Sequence, residues 1–82
     1  MKPKKTTKKK KYLEIEYFRK KYLFSQSDFG LLLGVKENTY SHKETGISTF
    51  STDELILIHR AINNAAKKAG DSLVTMDALL GL

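Results

Sequence analysis

The side chains in this 82-residue chain that are best suited to chemistry form one short polar run. It carries ammonium, carboxylate, amide, hydroxyl and imidazole groups on Lys36, Glu37, Asn38, Thr39, Ser41 and His42. These groups donate and accept hydrogen bonds. The apolar residues nearest to them are Val35 and Tyr40, so a helix formed here has little to bury. The run therefore indicates an exposed surface that binds a polar partner.

Catalysis is not expected from these residues. The two histidines, His42 and His59, lie in different segments, and no His-x-x-x-His pair, glycine-rich phosphate loop or Ser/His/Asp set accompanies them. The chain has no cysteine, which excludes disulfides and thiolate metal sites and is compatible with a reducing cytosol. We expect a protein that is not an enzyme and has no cofactor or metal.

The net charge of +6 is concentrated at the N-terminus. Residues 1–11 carry seven lysines and no acid, whereas residues 12–82 carry eight basic against nine acidic residues, a net charge of −1. We predict a lysine-rich flexible tail (1–11) on a nearly neutral domain (12–82). Three roles for this tail remain open. It is a solubilising extension, or an arm that lies along DNA phosphates or enters a minor groove. In a eukaryote it would instead be a nuclear localisation signal.

Length and apolar spacing predict one small all-α domain. No stretch is long and apolar enough to span a bilayer, and charged residues interrupt the region after the basic N-terminus where a signal peptide would be apolar. Ser25 with Asp28, and Ser51 with Glu54, have the spacing of capping boxes. The helices are predicted at residues 12–23, 25–33, 36–44, 51–69 and 76–80.

The helix pair around Gly34 resembles the DNA-binding domain of the phage Cro and cI repressors and the XRE, or lambda-repressor-like, family. The resemblance covers about residues 12–80. Its matching residues run without a gap and include Arg19, Ser25, Gln26, Phe29, Leu33, Gly34, Val35, Thr39, Ser41, Glu44, Gly46, Ser51, Leu55, Ile58, Ala61 and Ile62. It implies a five-helix all-α helix-turn-helix domain whose helix at about 36–44 enters the major groove of DNA.

The resemblance also implies a set of DNA-contacting residues: Gln26, Lys36, Glu37, Asn38, Thr39, Ser41, His42, Thr45 and Ser48. Asn38 can bond bidentately to adenine, Lys36 can donate to guanine, and Glu37 can accept from a cytosine amino group. Gln26 would bond a phosphate or support a base contact. Any one of these residues could instead be a solvated position on the helix.

Other positions have a structural interpretation beside the DNA-binding one. The hydroxyls of Thr45, Ser48 and Thr49 are expected either to donate hydrogen bonds to DNA phosphates or simply to face water in a turn. The resemblance pairs Arg19 with Glu44, either to hold the recognition helix and offer the guanidinium to a phosphate, or only to fix packing.

The chain departs from the family at several positions. Gly30 replaces an alanine at a close-packing point, and Lys43 stands where an aliphatic residue often packs. Leu31 and Leu32 occupy normally polar, exposed positions, so we expect a cover from the C-terminal segment or from a partner chain. The C-terminal segment is itself apolar and is expected to close the core, to form a dimer face, or both.

These observations predict a sequence-specific regulator that binds double-stranded DNA. We expect a homodimeric repressor on a pseudo-palindromic operator, bacterial or phage-encoded, cytoplasmic and nucleoid-associated when bound. One alternative is an antitoxin-type module that binds a partner protein and autoregulates its operon. Another is non-specific nucleic-acid binding through the lysine tail.

Overall fold

The computed structural model describes residues 12–82, which form five α-helices and no strand. The helices are α1 (Leu13–Lys21), α2 (Gln26–Leu33), α3 (Glu37–Thr45), α4 (Thr52–Ala69) and α5 (Met76–Leu80). This confirms the predicted all-α class and the number of helices. The predicted lysine-rich tail, residues 1–11, lies outside the described residues.

The end of α1 differs from the prediction, since the helix ends at Lys21 and not at Leu23. Leu23 has a φ of 66°, the one positive φ among the described residues other than glycine. The amide of Phe24 donates to the carbonyl of Arg19 at 2.9 Å, which closes the turn into α2. A left-handed conformation costs a bulky residue roughly 1–2 kcal/mol, so this turn holds Leu23 in a strained state.

The helix pair α2 and α3 is joined by a turn that local sequence explains. Ser25 accepts a hydrogen bond from the amide of Asp28, whose carboxylate accepts from the amide of Ser25, so a capping box starts α2. Gly34 ends α2 at a φ of 74°, and the amide of Val35 donates back to the carbonyl of Gly30 at 2.9 Å. Both the cap and the left-handed glycine match the prediction.

Gly30 is a point of close approach between α2 and this turn. It is buried, and an added Cβ would lie 2.9 Å from the carbonyl oxygen of Val35 and 3.5 Å from the amide nitrogen of Glu37. Both neighbours are backbone atoms that cannot rotate away. The departure from alanine thus has a steric reason: the two helices approach more closely than a methyl group allows.

The core is built from one or two residues of every element. Its buried members are Ile15, Phe29, Tyr40, Phe50, Ile58, Ile62, Val74 and Leu79. The ring of Tyr40 lies 5.8 Å from that of Phe29 and 5.8 Å from that of Phe50, centroid to centroid, so aromatic contacts join α2, α3 and the loop before α4. Ala69, the last residue of α4, is exposed. With eighteen residues, α4 extends past its shorter neighbours.

The segment after α4 folds back and closes the core. The amide of Val74 donates to Oδ1 of Asn63 at 2.7 Å, and Nε2 of His59 lies 2.7 Å from the carbonyl oxygen of Val74. These hydrogen bonds hold Val74 on α4. The chain then continues into α5, which packs against α1 and buries Leu79. The C-terminal segment therefore does close the core, as expected.

The expectation that this segment also covers the outer leucines of α2 is wrong. Leu31 is 80% exposed and Leu32 is 36% exposed. The hydrogen bond between Asn63 and Val74 holds the segment before α5 on α4, and α5 packs against α1.

Candidate nucleic-acid interface

The polar run of the sequence lies on α3 with most of its side chains in solvent. Lys36, Glu37, Asn38, Thr39 and His42 are exposed, and Ser41 is half-buried. The two buried residues of this helix are Tyr40 and Glu44. Because Tyr40 and Glu44 lie four positions apart on the inner face, Asn38, Thr39 and His42 project from the opposite face, with Ser41 at its edge. Lys36 and Glu37 lie on the side of Tyr40 and are exposed at the N-terminal end of α3.

The N-terminus of α3, like that of α1, has no side-chain cap. The starts of α2, α4 and α5 are capped by the side chains of Ser25, Ser51 and Thr75. Lys36, the N-cap of α3, makes no side-chain cap. The first amides of α3 therefore have no side-chain partner at the cap and lie beside the exposed face, where a helix start favours anions.

Glu44 is the centre of a buried hydrogen-bond network under this face. Its carboxylate accepts from Arg19 at 2.8 Å (Nε to Oε2) and 3.1 Å (Nη2 to Oε1). The hydroxyl of Tyr40 donates to Oε2 at 2.6 Å, and the side-chain amide of Gln26 donates to Oε1 at 3.2 Å. One carboxylate thereby joins α1, α2 and α3, and it fixes α3 against both neighbours.

Arg19 is fully engaged in this network. It is 5% exposed, and its Nη1 donates to the carbonyl of Phe24 at 2.9 Å while the other two nitrogens bind Glu44. The guanidinium is therefore almost wholly buried, which argues against its being offered to a phosphate, whereas the holding of α3 by the pair agrees with the network. The packing interpretation of the pair describes what is seen.

Gln26 lies at the first position of α2 and is half-buried. One of its amide hydrogens is directed to Glu44, which orients the side chain from inside the molecule. The remaining amide hydrogen and the carbonyl oxygen are not used in that contact, so a phosphate or a neighbouring side chain could still bind there.

The network also sets the protonation states of its members. Burial raises the pKa of Glu44, but the hydrogen bonds from Arg19, Tyr40 and Gln26 outweigh it and leave the pKa below its ordinary value. Burial, followed by the hydrogen bond to Glu44, raises the pKa of the Tyr40 hydroxyl. Glu44 therefore remains an anion and Tyr40 a donor across the neutral range.

The loop after α3 is held by Lys43, a role that the sequence interpretation missed. The Nζ of Lys43 lies 3.1 Å from Oε1 of Glu54 and donates to the carbonyl of Thr49 at 3.1 Å. Glu54 also accepts from the amide of Ser51 in the capping box of α4. The signal was present: Lys43 replaces an aliphatic residue, and a partly buried lysine needs an acidic partner.

Of the loop residues predicted to contact phosphates, Ser48 and Thr49 are exposed. Thr45 is exposed too, but its hydroxyl donates to the carbonyl of Ser41 at 3.0 Å, within its own helix. A hydroxyl bonded in this way offers an oxygen acceptor to solvent, so it must rotate before it can donate to a phosphate. Ile47 is also exposed and lies between these residues.

Two other kinds of site are not found among residues 12–82. No group of three acidic, histidine or cysteine side chains in this range is placed to hold a metal ion. No helix within it is long and apolar enough to cross a membrane.

Comparison with protein families identifies one match. A family model described as helix-turn-helix matches residues 15–70, a span that contains all of α2, α3 and α4. Comparison with curated proteins and with solved structures gives no match. The matched span includes the buried network and the whole exposed face of α3.

Proposed function

We propose that this chain, which belongs to the helix-turn-helix family of XRE or lambda-repressor-like DNA-binding regulators, reads a specific double-stranded sequence with the outer face of α3. In this proposal Asn38, Lys36 and Glu37 contact base edges in the major groove. Thr39, Ser41 and His42 complete the contact surface. Gln26, Ser48 and Thr45, the last after rotation of its hydroxyl, would contact the DNA backbone.

The observation that carries the proposal is the contrast between the two sides of α3. Its inner side is fixed by a buried carboxylate with four hydrogen bonds from three side chains. Its outer side carries polar side chains that face solvent. A rigid helix with free hydrogen-bonding groups is what direct readout of base edges requires.

We further propose that the protein acts as a homodimer on a pseudo-palindromic operator and represses transcription by obstructing polymerase. A single small domain contacts few base pairs, and a two-fold pair doubles the site that is read. The exposed leucines of α2 support a protein contact in addition to the DNA contact.

Selection of bound sequences from a random duplex pool tests both parts. We expect a two-fold motif, because two α3 helices would read related half-sites. A motif without two-fold symmetry would leave DNA reading intact and contradict the dimeric arrangement. Equal recovery of all sequences would contradict sequence-specific binding itself.

The exposed leucines also favour a second candidate, an antitoxin-type module that covers a partner protein and autoregulates its operon. Purification of the chain alone, compared with co-expression beside the product of an adjacent gene, separates the two. Stable co-purification at fixed stoichiometry would favour the module. A chain that is well folded alone and retains its DNA motif would favour the regulator.

A further inference from the structure

Tyr12, the first residue that the structure describes, lies at the C-terminal end of α3. Its amide donates to the carbonyl of Glu44 at 3.0 Å, and its ring lies 5.0 Å from that of Phe50, centroid to centroid, in an edge-on contact. Glu44 is in the last turn of α3, and Phe50 lies in the loop that follows. Residues 1–11 are therefore joined to the domain beside the loop that is a candidate for DNA contact.

The orientation of α1 determines this point of attachment. The other end of α1 lies near the C-terminus of α4, where the hydroxyl of Tyr22 donates to Asp71 at 2.7 Å. Ten positions separate Tyr12 from Tyr22, which corresponds to roughly 15 Å along a helix. Residues 1–11 are thus attached on the side of α3 and away from the C-terminal end of α4.

The candidate DNA-contacting surface has little positive charge of its own. Residues 36–53, which contain α3 and the loop after it, carry two lysines against three acidic residues, a net charge of −1. Lys43 forms an ion pair with Glu54 at 3.1 Å. Within this described range, only Lys36 is a cation outside an ion pair. This surface therefore attracts phosphates weakly by itself.

The other cations among residues 12–82 do not compensate. Three of them, all on α1, are in ion pairs: Arg19, Lys20 and Lys21. The remaining three are exposed on α4, and two of them are in its last turn: Arg60, Lys67 and Lys68. That turn is near Asp71, at the end of α1 away from Tyr12. A duplex held at α3 thus meets few cations of the described domain, although phosphate contacts supply much of the affinity for DNA.

Residues 1–11 carry the charge that this surface lacks, and they are long enough to reach DNA there. They have seven lysines and no acidic residue. Eleven extended residues span at most about 36–40 Å, which is close to one helical turn of B-DNA, about 34–36 Å. Their attachment beside the loop after α3 keeps all seven lysines within that distance of the duplex.

We propose that residues 1–11 bind the phosphate backbone of the duplex that α3 reads, within about one helical turn of the loop after α3. The inference rests on the proposed function for the presence of that duplex. Lysine is a compact point charge that binds phosphates without reading bases. These residues therefore supply affinity and salt dependence, while the preference for a sequence comes from α3.

Binding titrations of the full chain at several salt concentrations test this on a duplex that contains the selected motif. Two variants lose the same charge, one in the tail and one on α4: Lys8→Ser with Lys9→Ser and Lys10→Ser, and Arg60→Ser with Lys67→Ser and Lys68→Ser. In the tail variant the slope of log affinity against log salt should be smaller by about 2–3, since each neutralised phosphate contributes about 0.9. The α4 variant should keep the wild-type slope. Unchanged circular dichroism of both variants verifies the fold.

A second measurement uses the absence of cysteine from the chain. An iron chelate that cleaves DNA is attached to Lys2→Cys in one chain and to Ser72→Cys in a control chain. Ser72 is exposed and follows Asp71, at the end of α1 away from Tyr12. On a duplex several times longer than the motif, Lys2→Cys should cut within about one helical turn of the motif, and Ser72→Cys should cut less.

Two outcomes on the motif duplex would overturn the inference: equal slopes in the two charge variants, or cuts from Lys2→Cys that are spread evenly along the DNA. Both are expected if net charge alone attracts the duplex. The proposed function fails separately. If a motif is selected and the tail variant keeps the wild-type slope, reading by α3 stands and this role of residues 1–11 is excluded. If no motif is selected but only the tail variant loses slope on a duplex of random sequence, phosphate binding by residues 1–11 stands and sequence reading is excluded.

Discussion

Glu44 shows how one residue couples stability to the position of the exposed face. Its two oxygens accept hydrogen bonds from Arg19, Tyr40 and Gln26. A buried ion pair is often near neutral for stability when compared with an apolar replacement, yet it is strongly destabilising to break. The network is therefore best understood as a device that specifies where α3 lies.

At the residue scale we predict an acid-dependent loss of stability through Glu44. Its pKa in the folded chain lies below its ordinary value, so its contribution is fully present above about pH 4.3, the ordinary pKa of a glutamate. That contribution is lost as the pH falls through the lower folded value. Urea unfolding across pH 3 to 7 should show the free energy of unfolding falling below about pH 4.3.

The variant Glu44→Gln isolates this contribution. We expect it to be less stable than wild type at pH 7 by about 3 kcal/mol, because Arg19 loses its buried partner, and to depend less on pH. Glu14→Gln, on the exposed surface of α1, is the matched control and should keep the wild-type dependence. Part of the dependence should survive in Glu44→Gln, since the pKa of Glu54 is also lowered: burial raises it, but bonds from Ser51 and Lys43 outweigh that. Identical pH profiles for wild type and Glu44→Gln would exclude this account.

Asn38 provides the residue-scale prediction for DNA reading. Asn38→Ala should relax preference at one base pair in each half-site and weaken binding to the selected motif by roughly 1–3 kcal/mol, the usual value of a bidentate base contact. Competition binding against single-substitution operators measures this. Asn64→Ala, an exposed asparagine on α4, should change neither quantity. An unaltered preference in Asn38→Ala would remove Asn38 from the contact set.

At the scale of elements, the geometry of the helix pair depends on Gly30 and on the turn that follows α2. Helix propensity alone favours alanine over glycine by roughly 1 kcal/mol. The approach of the Val35 carbonyl opposes it, because a Cβ would lie 2.9 Å from that oxygen. Backbone sterics outweigh propensity at this position.

We therefore predict that Gly30→Ala destabilises the chain by about 1–3 kcal/mol, the usual cost of overpacking, in spite of the better helix former. Urea denaturation at neutral pH measures it. Ser27→Ala on the exposed side of the same helix should stay within about 0.5 kcal/mol of wild type. An increase in stability on Gly30→Ala would show that α2 and the turn can separate at little cost.

At the scale of the whole molecule, charge and shape are divided between different parts of the chain. The domain of residues 12–82 has a net charge of −1, whereas the lysines of residues 1–11 give the chain its basic character. Under the proposed function we expect the face of α3 to supply sequence preference through hydrogen bonds, and the lysines of residues 1–11 to supply long-range attraction to phosphates.

Deletion of residues 1–10 should separate these contributions. We predict that the shortened chain selects the same motif, binds it more weakly, and has a less steep dependence of log affinity on log salt. The slope should change by up to about 5, since six lysines are removed and each neutralised phosphate contributes about 0.9. Binding titrations at several salt concentrations measure it, and a chain with the six lysines replaced by serine controls for length. An unchanged slope would show that the tail does not contact DNA, and a lost motif would show that α3 is not the reader.

Local patterns in the sequence predicted the five helices, apart from the end of α1, the capping boxes of α2 and α4, and the polar character of α3. Capping boxes at Ser25 and Ser51 and the left-handed stop at Gly34 depend on residues within a few positions of one another, so they can be predicted without tertiary structure. The buried pair of Arg19 and Glu44 was reached by resemblance, since twenty-five positions separate the two residues.

The tertiary structure decided what depends on distant contacts. It placed Arg19 out of reach of solvent, directed Gln26 to Glu44, paired Lys43 with Glu54, and sent the C-terminal segment to α1, so that Leu31 stays exposed. The physical reason is that cap and turn energies arise from neighbours along the chain, whereas the partner of a buried charge and the cover of an apolar face are set by how whole helices pack.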